Sequence, residues 1–261
     1  LRCRKFGQRV SRSGRWWLHM LVGNRSAAES SELTAFLAAI DELTPDSRHL
    51  IAVVGPPGSG KSTFSELLER RLNRAGPDRA RVLPMDGFHY DDAILEERGQ
   101  RARKGAPFTF DVDGFDSILS RLRRNDAPEV AVPVFDRAIE ISRGAARLIP
   151  RTVDIVIVEG NYLLLDEKPW AKLRKHFALT VHLDVPLPEL RGRLHERWSH
   201  YGFSAKEIEE KLEGNDLRNA SYISKNSGPA NFRIAESDWI QRLHQETCRD
   251  DEALQNRSDS R

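Results

Sequence analysis

Long apolar runs are absent from this chain of 261 residues. No stretch approaches 18 consecutive apolar residues, so no membrane span is expected. Cysteine is scarce: Cys3 and Cys248 lie near opposite ends, which argues against a disulfide framework or a metal cluster and makes a reducing cytoplasm the simplest compartment. No internal repeat occurs. Neither sign of charge dominates, since 41 Lys and Arg face 39 Asp and Glu. Residues 1–25 hold seven bases (Arg2, Arg4, Lys5, Arg9, Arg12, Arg15 and Arg25) and no acid. The rest of the chain has 34 bases against 39 acids, a balance near −5, and offers no general surface for nucleic acid.

That basic leader, residues 1–28, has three readings: an organelle transit peptide, a basic arm for nucleic acid, or a disordered extension with the native start at Met20. The third is preferred, because the segment lacks a clear amphipathic repeat. Residues 29–242 are expected to form the folded domain, and 243–261 a flexible tail. A homodimer is compatible with the sequence, which carries no signal for or against it.

What is present begins with Gly55-Pro56-Pro57-Gly58-Ser59-Gly60-Lys61-Ser62. It has the phosphate-loop spelling G-x-x-x-x-G-K-[ST] in the required setting. The apolar run 50–54 precedes it and a helix-forming run, 62–74, follows it. Glycines let backbone N–H groups close around phosphate oxygens, and the helix N-terminus adds partial positive charge. Lys61 supplies a cation for the terminal phosphates, and Ser62 a hydroxyl for Mg²⁺. Ser59 and Thr63 belong to the same nucleotide site. These residues imply that a nucleoside triphosphate is bound.

Leu33, Phe36, Leu37, Ile40 and Leu43 share one helical face behind Ser30-Ser31, and Pro45 should end that helix. Further strands are predicted at 81–85, 153–158, 179–185 and 232–235, and a hairpin from 129–135 and 145–149. Helices are predicted at 115–124, from Pro188 to His200, and after a capping box at Ser204 and Glu207. Strands alternating with helices indicate a mainly parallel sheet covered on both faces, with ligands beyond the carboxyl ends of the strands.

Two carboxylates fall at such ends. Asp86 follows the strand 81–85 and suits proton abstraction from an acceptor hydroxyl, or the water shell of Mg²⁺; the plainer reading is a turn or helix cap. Glu159 ends the most apolar strand, where a charge needs a partner such as Mg²⁺. Arg191, Arg193 and Arg197 lie on the helix after the strand 179–185. They suit charge stabilisation on a transferred group, although a solvated basic face explains them nearly as well. His89, Tyr90, Phe135, Arg137 and Tyr162 are candidates for an acceptor pocket, with packing as the alternative for each. Asp111-Val112-Asp113-Gly114 has the D-x-x-G spelling of a GTPase switch, but no apolar strand feeds it and no N-K-x-D occurs.

Beyond these readings, the chain resembles the uridine kinase, pantothenate kinase and phosphoribulokinase group over about residues 48–236. Asp86-Gly87-Phe88 matches the D-G-F of pantothenate kinases, and Arg103 to Asp111 resembles their R-K-G-x-P-x-[ST]-[FY]-D. Val132 to Asp136 is similar to the P-V-Y-D hairpin of uridine kinases, with Phe135 in place of tyrosine, and Glu159-Gly160 to their shared E-G. Bacterial nucleoside/nucleotide kinase-like proteins, some linked to fructose transport, are similar as well. The resemblance implies a three-layer α/β/α P-loop fold with a five-stranded, mainly parallel sheet, a small β-hairpin insertion and an arginine-bearing lid. It implies ATP with Mg²⁺ as cofactors and Asp86 as base. It also implies acceptor contacts from Lys104 to Asp111 and the hairpin, with Arg193 and Arg197 on the lid. A sugar, a pantothenate-like polyol or a nucleoside is the expected acceptor, and the missing phenol at Phe135 argues against uridine. The competing expectation is a P-loop ATPase that switches a protein partner.

Overall fold

A computed structural model describes residues 30–235 apart from 45–46, 75 and 77, together with Trp239. The leader, Pro45, Pro77 and the tail from 243 lie outside the described residues. Five parallel strands make the main sheet: β1 (His49–Val54), β2 (Ala80–Pro84), β5 (Ile155–Gly160), β6 (Phe177–Asp184) and β7 (Phe232–Ala235). Their spatial order is β2-β5-β1-β6-β7. The mainly parallel five-stranded α/β fold expected from the sequence is therefore present.

The strands are apolar on both sides because both sides are covered. Ile51 and Val53 of β1 pack with α1 (Ser30–Asp41) and α2 (Lys61–Leu72), through Leu33, Phe36, Phe64 and Leu68. Leu50, Ala52 and Val54 point the other way, toward α4 (Val112–Arg124) through Phe115, Leu119 and Leu122. The same alternation places Ile155 and Ile157 of β5 on the first side, and Val156 and Val158 on the second. Trp239 closes the first layer edge-on to Phe64, with ring centroids 5.2 Å apart.

β3 (Glu129–Asp136) and β4 (Ile141–Pro150) form a separate antiparallel hairpin. It extends beyond the predicted 145–149 arm, and its register shifts between Val132 and Val134, across Pro133, which has no N–H to give the ladder. α4 begins at Val112, three residues earlier than predicted, because the Asp111 side chain accepts from the Gly114 N–H at 2.9 Å and caps it. The serines at 30 and 31 fall within α1.

Other elements escape the apolar pattern because they are short or polar. They are α3 (Asp92–Glu97), a 3₁₀ segment at Trp170–His176 and α7 (Leu217–Asn226). α5 (Leu187–His200) and α6 (Ala205–Lys211) match expectation, and both halves of the Ser204–Glu207 capping box form. A π turn at Leu212–Asp216 joins α6 to α7. The helices α5 to α7 form a lid beside the carboxyl ends of β1 and β6, with its own small core of Leu194, Ile208 and Leu212.

Candidate active site

The turn from Gly55 to Gly60 leaves β1 and enters α2. Gly58 and Gly60 sit at φ +81° and +83°, in the left-handed region that side chains disfavour. The reversal aims the first amide groups of α2 at one point. Ser59 is fully buried there, and its Oγ has no hydrogen-bond partner. A buried, unpartnered hydroxyl in a glycine cradle fits a phosphate oxygen. The Lys61 Nζ donates to the Pro56 carbonyl oxygen at 2.9 Å, folding back over the loop. Ser62 Oγ donates to Glu159 Oε2 at 2.9 Å. Thr63 follows in the first turn of α2, with an exposed side chain.

Glu159 is the fifth residue of β5, opposite Val53 of β1, so it lies inside the sheet rather than beyond it. One strand over, β2 ends at Pro84 and a 3₁₀ turn over Met85–Phe88 presents Asp86. Arg137, just past β3, donates through Nη2 to Asp86 Oδ2 at 2.5 Å. The turn is also held by the hairpin, since Ser142 Oγ donates to the Gly87 carbonyl. Three parallel strand ends and the hairpin thus meet at one place.

The charges there perturb one another. Burial pulls the Lys61 ammonium down to about 8, against the attraction of Glu159 and Asp86. Burial pushes the Glu159 carboxyl up, and the Lys61 charge offsets this only in part. Burial also pushes Asp86 up, but Arg137, His89, Lys61 and Arg197 together outweigh it and hold the carboxyl below its ordinary range. Asp86 is therefore ionised at neutral pH. Burial pulls His89 down, against the attraction of Asp86.

On the acceptor side, His89 lies against Phe110 and Phe135, with ring centroids 3.9 and 5.0 Å away. A ring nitrogen of His89, Nδ1, is 2.8 Å from the Asp86 carbonyl oxygen. Lys104 Nζ is 5.2 Å from the centre of the Phe135 ring and donates to Asp92 Oδ1 and the Glu140 carbonyl, both at 2.6 Å. His89, Lys104, Phe135 and Arg137 are thus gathered beside Asp86.

Three expected acceptor residues are placed otherwise. Tyr90 lies under the Arg98 guanidinium, 4.5 Å from its ring centre. Tyr162 is fully buried and donates its hydroxyl to the Gly105 carbonyl at 2.6 Å, so it supports the loop from behind. Asp111 is engaged as the α4 cap, the role the sequence had offered for Asp86.

The lid arginines also differ. Arg191 turns away, to Glu209 and Glu213 of the lid itself. Arg193 is buried, pairs with Glu189, and has Nη1 3.4 Å from the Gly58 carbonyl oxygen. Arg197 lies 5.4 Å from the Trp198 ring centre and is close enough to act on both Lys61 and Asp86. Sequence reasoning missed Asp92, Asn215 and Asn219, all of which hold the Arg103–Gly105 loop. No local signal marks the asparagines, because their partners lie more than a hundred residues away. Among the described residues no group of His, Cys, Asp or Glu has the arrangement of a dedicated metal site.

The profile of the AAA domain family matches residues 51–213, from β1 into the lid. A protein of Schizosaccharomyces pombe, provisionally named a uridine kinase, is 35% identical over 195 residues, covering 72% of this chain and 83% of its own. The chain belongs to the P-loop kinases related to uridine and pantothenate kinases. The pantothenate kinase of Lacticaseibacillus casei is 34% identical over 144 residues, 54% of this chain but only 46% of that protein. Among solved structures, a kinase provisionally assigned to fructose transport in Silicibacter sp. TM1040 superposes with a TM-score of 0.71. It is 38% identical and covers 78% of this chain and 97% of its own. Membership in this family brings nucleotide binding and an ATP-dependent phosphotransferase activity toward small molecules. No helix among the described residues is long and apolar enough to cross a membrane.

Proposed function

We propose that this kinase transfers the γ-phosphoryl group of ATP to an alcohol group of a sugar, a pantothenate-like polyol or a nucleoside. The observation that carries the reading is the Asp86 carboxylate, kept ionised among Arg137, His89 and Lys61 at the mouth of the phosphate loop. Lys61 and the loop amides grip the β- and γ-phosphates, and the Ser59 hydroxyl gains the partner it lacks. Ser62 and Glu159 are the residues that would hold Mg²⁺, and the ion would supply charge neutralisation at the phosphates. Two protein oxygens suffice, because Mg²⁺ in such sites keeps several waters and phosphate oxygens.

Asp86 orients the acceptor hydroxyl toward the γ-phosphorus and takes its proton as the new O–P bond forms and the bond to ADP breaks. A carboxylate whose proton affinity is lowered in this way is a weakened base. Its main work is orientation, with the proton moving late in a loose transition state. Arg197, close to Lys61 and Asp86, stabilises charge on the transferred group, and Arg193, held by Glu189 beside the Gly58 carbonyl, adds its charge next to the loop. The acceptor is a small molecule rather than nucleic acid or lipid, and the reaction belongs to the cytoplasm, where ATP is supplied.

The test is a metabolite screen by ADP release, on wild type, Lys61→Ala and Asp86→Asn. One metabolite should stimulate ADP release by wild type, and both substitutions should lower the stimulated rate by at least ~100-fold. Asp86→Asn should still bind ATP. Full activity in Asp86→Asn removes the role given to Asp86. Rapid turnover that no metabolite stimulates favours an ATPase switch instead.

A further inference from the structure

The loop from Arg103 to Thr109 lies between the acceptor side of the site and the lid, and its backbone is held by side chains from far along the chain. Gly105 has φ +95°, a conformation only glycine adopts readily, which leaves the carbonyls of residues 104 and 105 to side-chain partners. Asn215 Nδ2 donates to the Lys104 carbonyl oxygen at 2.9 Å. Asn219 Nδ2 donates to the Gly105 carbonyl oxygen at 3.4 Å and to Asn215 Oδ1 at 3.1 Å. Arg103 Nε also donates to Asn215 Oδ1, at 3.4 Å. A carbonyl can only accept and a guanidinium can only donate, so these partners fix which way the Asn215 amide points.

The π turn over Leu212–Asp216 carries both Asn215 and Asp216, each with its own partner. Asn215 reaches the loop, while Asp216 accepts from Trp198 Nε1 of α5 at 2.7 Å. The helix α5 rests on the phosphate loop, where a Cβ at Gly58 would come 3.2 Å from Leu194. At the other end, Lys104 reaches Asp92, the hairpin tip at Glu140 and the Phe135 ring. An unbroken set of contacts therefore runs from the phosphate loop through α5, Trp198, Asp216 and Asn215 to Lys104, beside Asp86.

We propose that Asn215 and Asn219 are positioning residues that interlock the lid with the acceptor loop, so that nucleotide on the phosphate loop sets the loop in its working shape. This rests on the kinase reading above. The device makes one binding event prepare the site for the other, through bonds that exist only when lid and loop are in register. By the same linkage, an acceptor that favours the ordered loop favours the lid in register and so tightens the hold on nucleotide.

Hydrogen exchange on the full chain tests it, with the non-hydrolysable analogue AMP-PNP and Mg²⁺ as the probe. In wild type, the analogue should slow exchange at the amides of α5 and, by about tenfold, at residues 104–106. In Asn215→Ala the slowing of α5 should remain while that at 104–106 falls to twofold or less. Trp198→Phe keeps an aromatic ring against Phe203 and Lys211 and removes the bond to Asp216; it should give the same split and serves if Asn215→Ala folds poorly. A purely structural role would speed exchange at 104–106 with and without nucleotide alike and leave the ratio unchanged. Undiminished slowing at 104–106 in both variants, or wild type in which only α5 responds, overturns the interlock and leaves the kinase reading intact. A wild type in which neither segment responds overturns both.

Discussion

Replacing Lys61 by methionine should make the nucleotide-free protein more stable while ending its ability to bind nucleotide. Burial draws the Lys61 ammonium from 10.5 to about 8. The unfolded chain keeps the ordinary value, so below pH 8 the charge is present in both states and the folded state carries the whole penalty. The gap corresponds to about 3 kcal/mol at neutral pH. As pH rises from about 8 to 10.5 the folded protein sheds the proton first, and the penalty disappears. Methionine keeps the stem and removes the charge.

Glu159 and Asp86 lose a neighbouring cation in the variant, which reduces the gain. The expected stabilisation is about 1–3 kcal/mol at pH 7, or about 2–12 °C in Tm for a domain of this size. Urea denaturation without nucleotide, at pH 7 and again above pH 10.5, measures it, and calorimetric titration with ATP measures the loss of binding. A variant less stable than wild type at pH 7, or one whose advantage is the same above pH 10.5, refutes the argument that desolvation of Lys61 is held in the fold for the sake of the phosphates.

Two further substitutions separate structural from chemical roles. Asp111→Ala removes the α4 cap and should cost about 0.5–2 kcal/mol in urea denaturation. It should leave the acceptor KM unchanged, and a large rise would restore Asp111 to the acceptor site. Gly160→Ala puts a Cβ 2.7 Å from the Met85 Cβ, which is fixed to the backbone and cannot swing aside. It should cost about 1–3 kcal/mol and, by shifting the turn that presents Asp86, lower kcat more than ATP affinity. Thermal unfolding and steady-state kinetics check both parts.

Much of the scaffold is legible in the residues because it follows from local chemistry. The apolar runs at β1 and β5 can be satisfied only by burial on both faces, and Gly58 and Gly60 mark where the chain turns back with positive φ. Glu159 announces itself as a charge at the end of an apolar strand, and Asp86 as an acid just past another. Spacing alone does not say which acid faces the phosphates and which caps a helix. Asp86 and Asp111 both stand at the start of a helical turn, and only the Gly114 N–H at 2.9 Å assigns the cap to Asp111.

The lid is less legible in the residues, for the same reason. Arg191, Arg193 and Arg197 share one helix, yet one turns to Glu209 and Glu213 of α6 and its π turn, one is buried against Glu189, and one stands near Lys61. Rotation about the helix and the partners on neighbouring elements make that division.

The residue order by itself determined a parallel α/β sheet, a phosphate loop at the exit of β1 and the placing of acids at strand ends. Each of these depends on periodicity, backbone freedom or burial within a few residues. Tertiary structure alone decided that Arg137 and Ser142 of the hairpin grip the Asp86 turn, that Tyr162 backs the acceptor loop and that Asn215 and Asn219 tie it to the lid. Those bonds join residues 51 to 114 positions apart, and no local pattern encodes which distant carbonyl a side-chain amide or hydroxyl will meet.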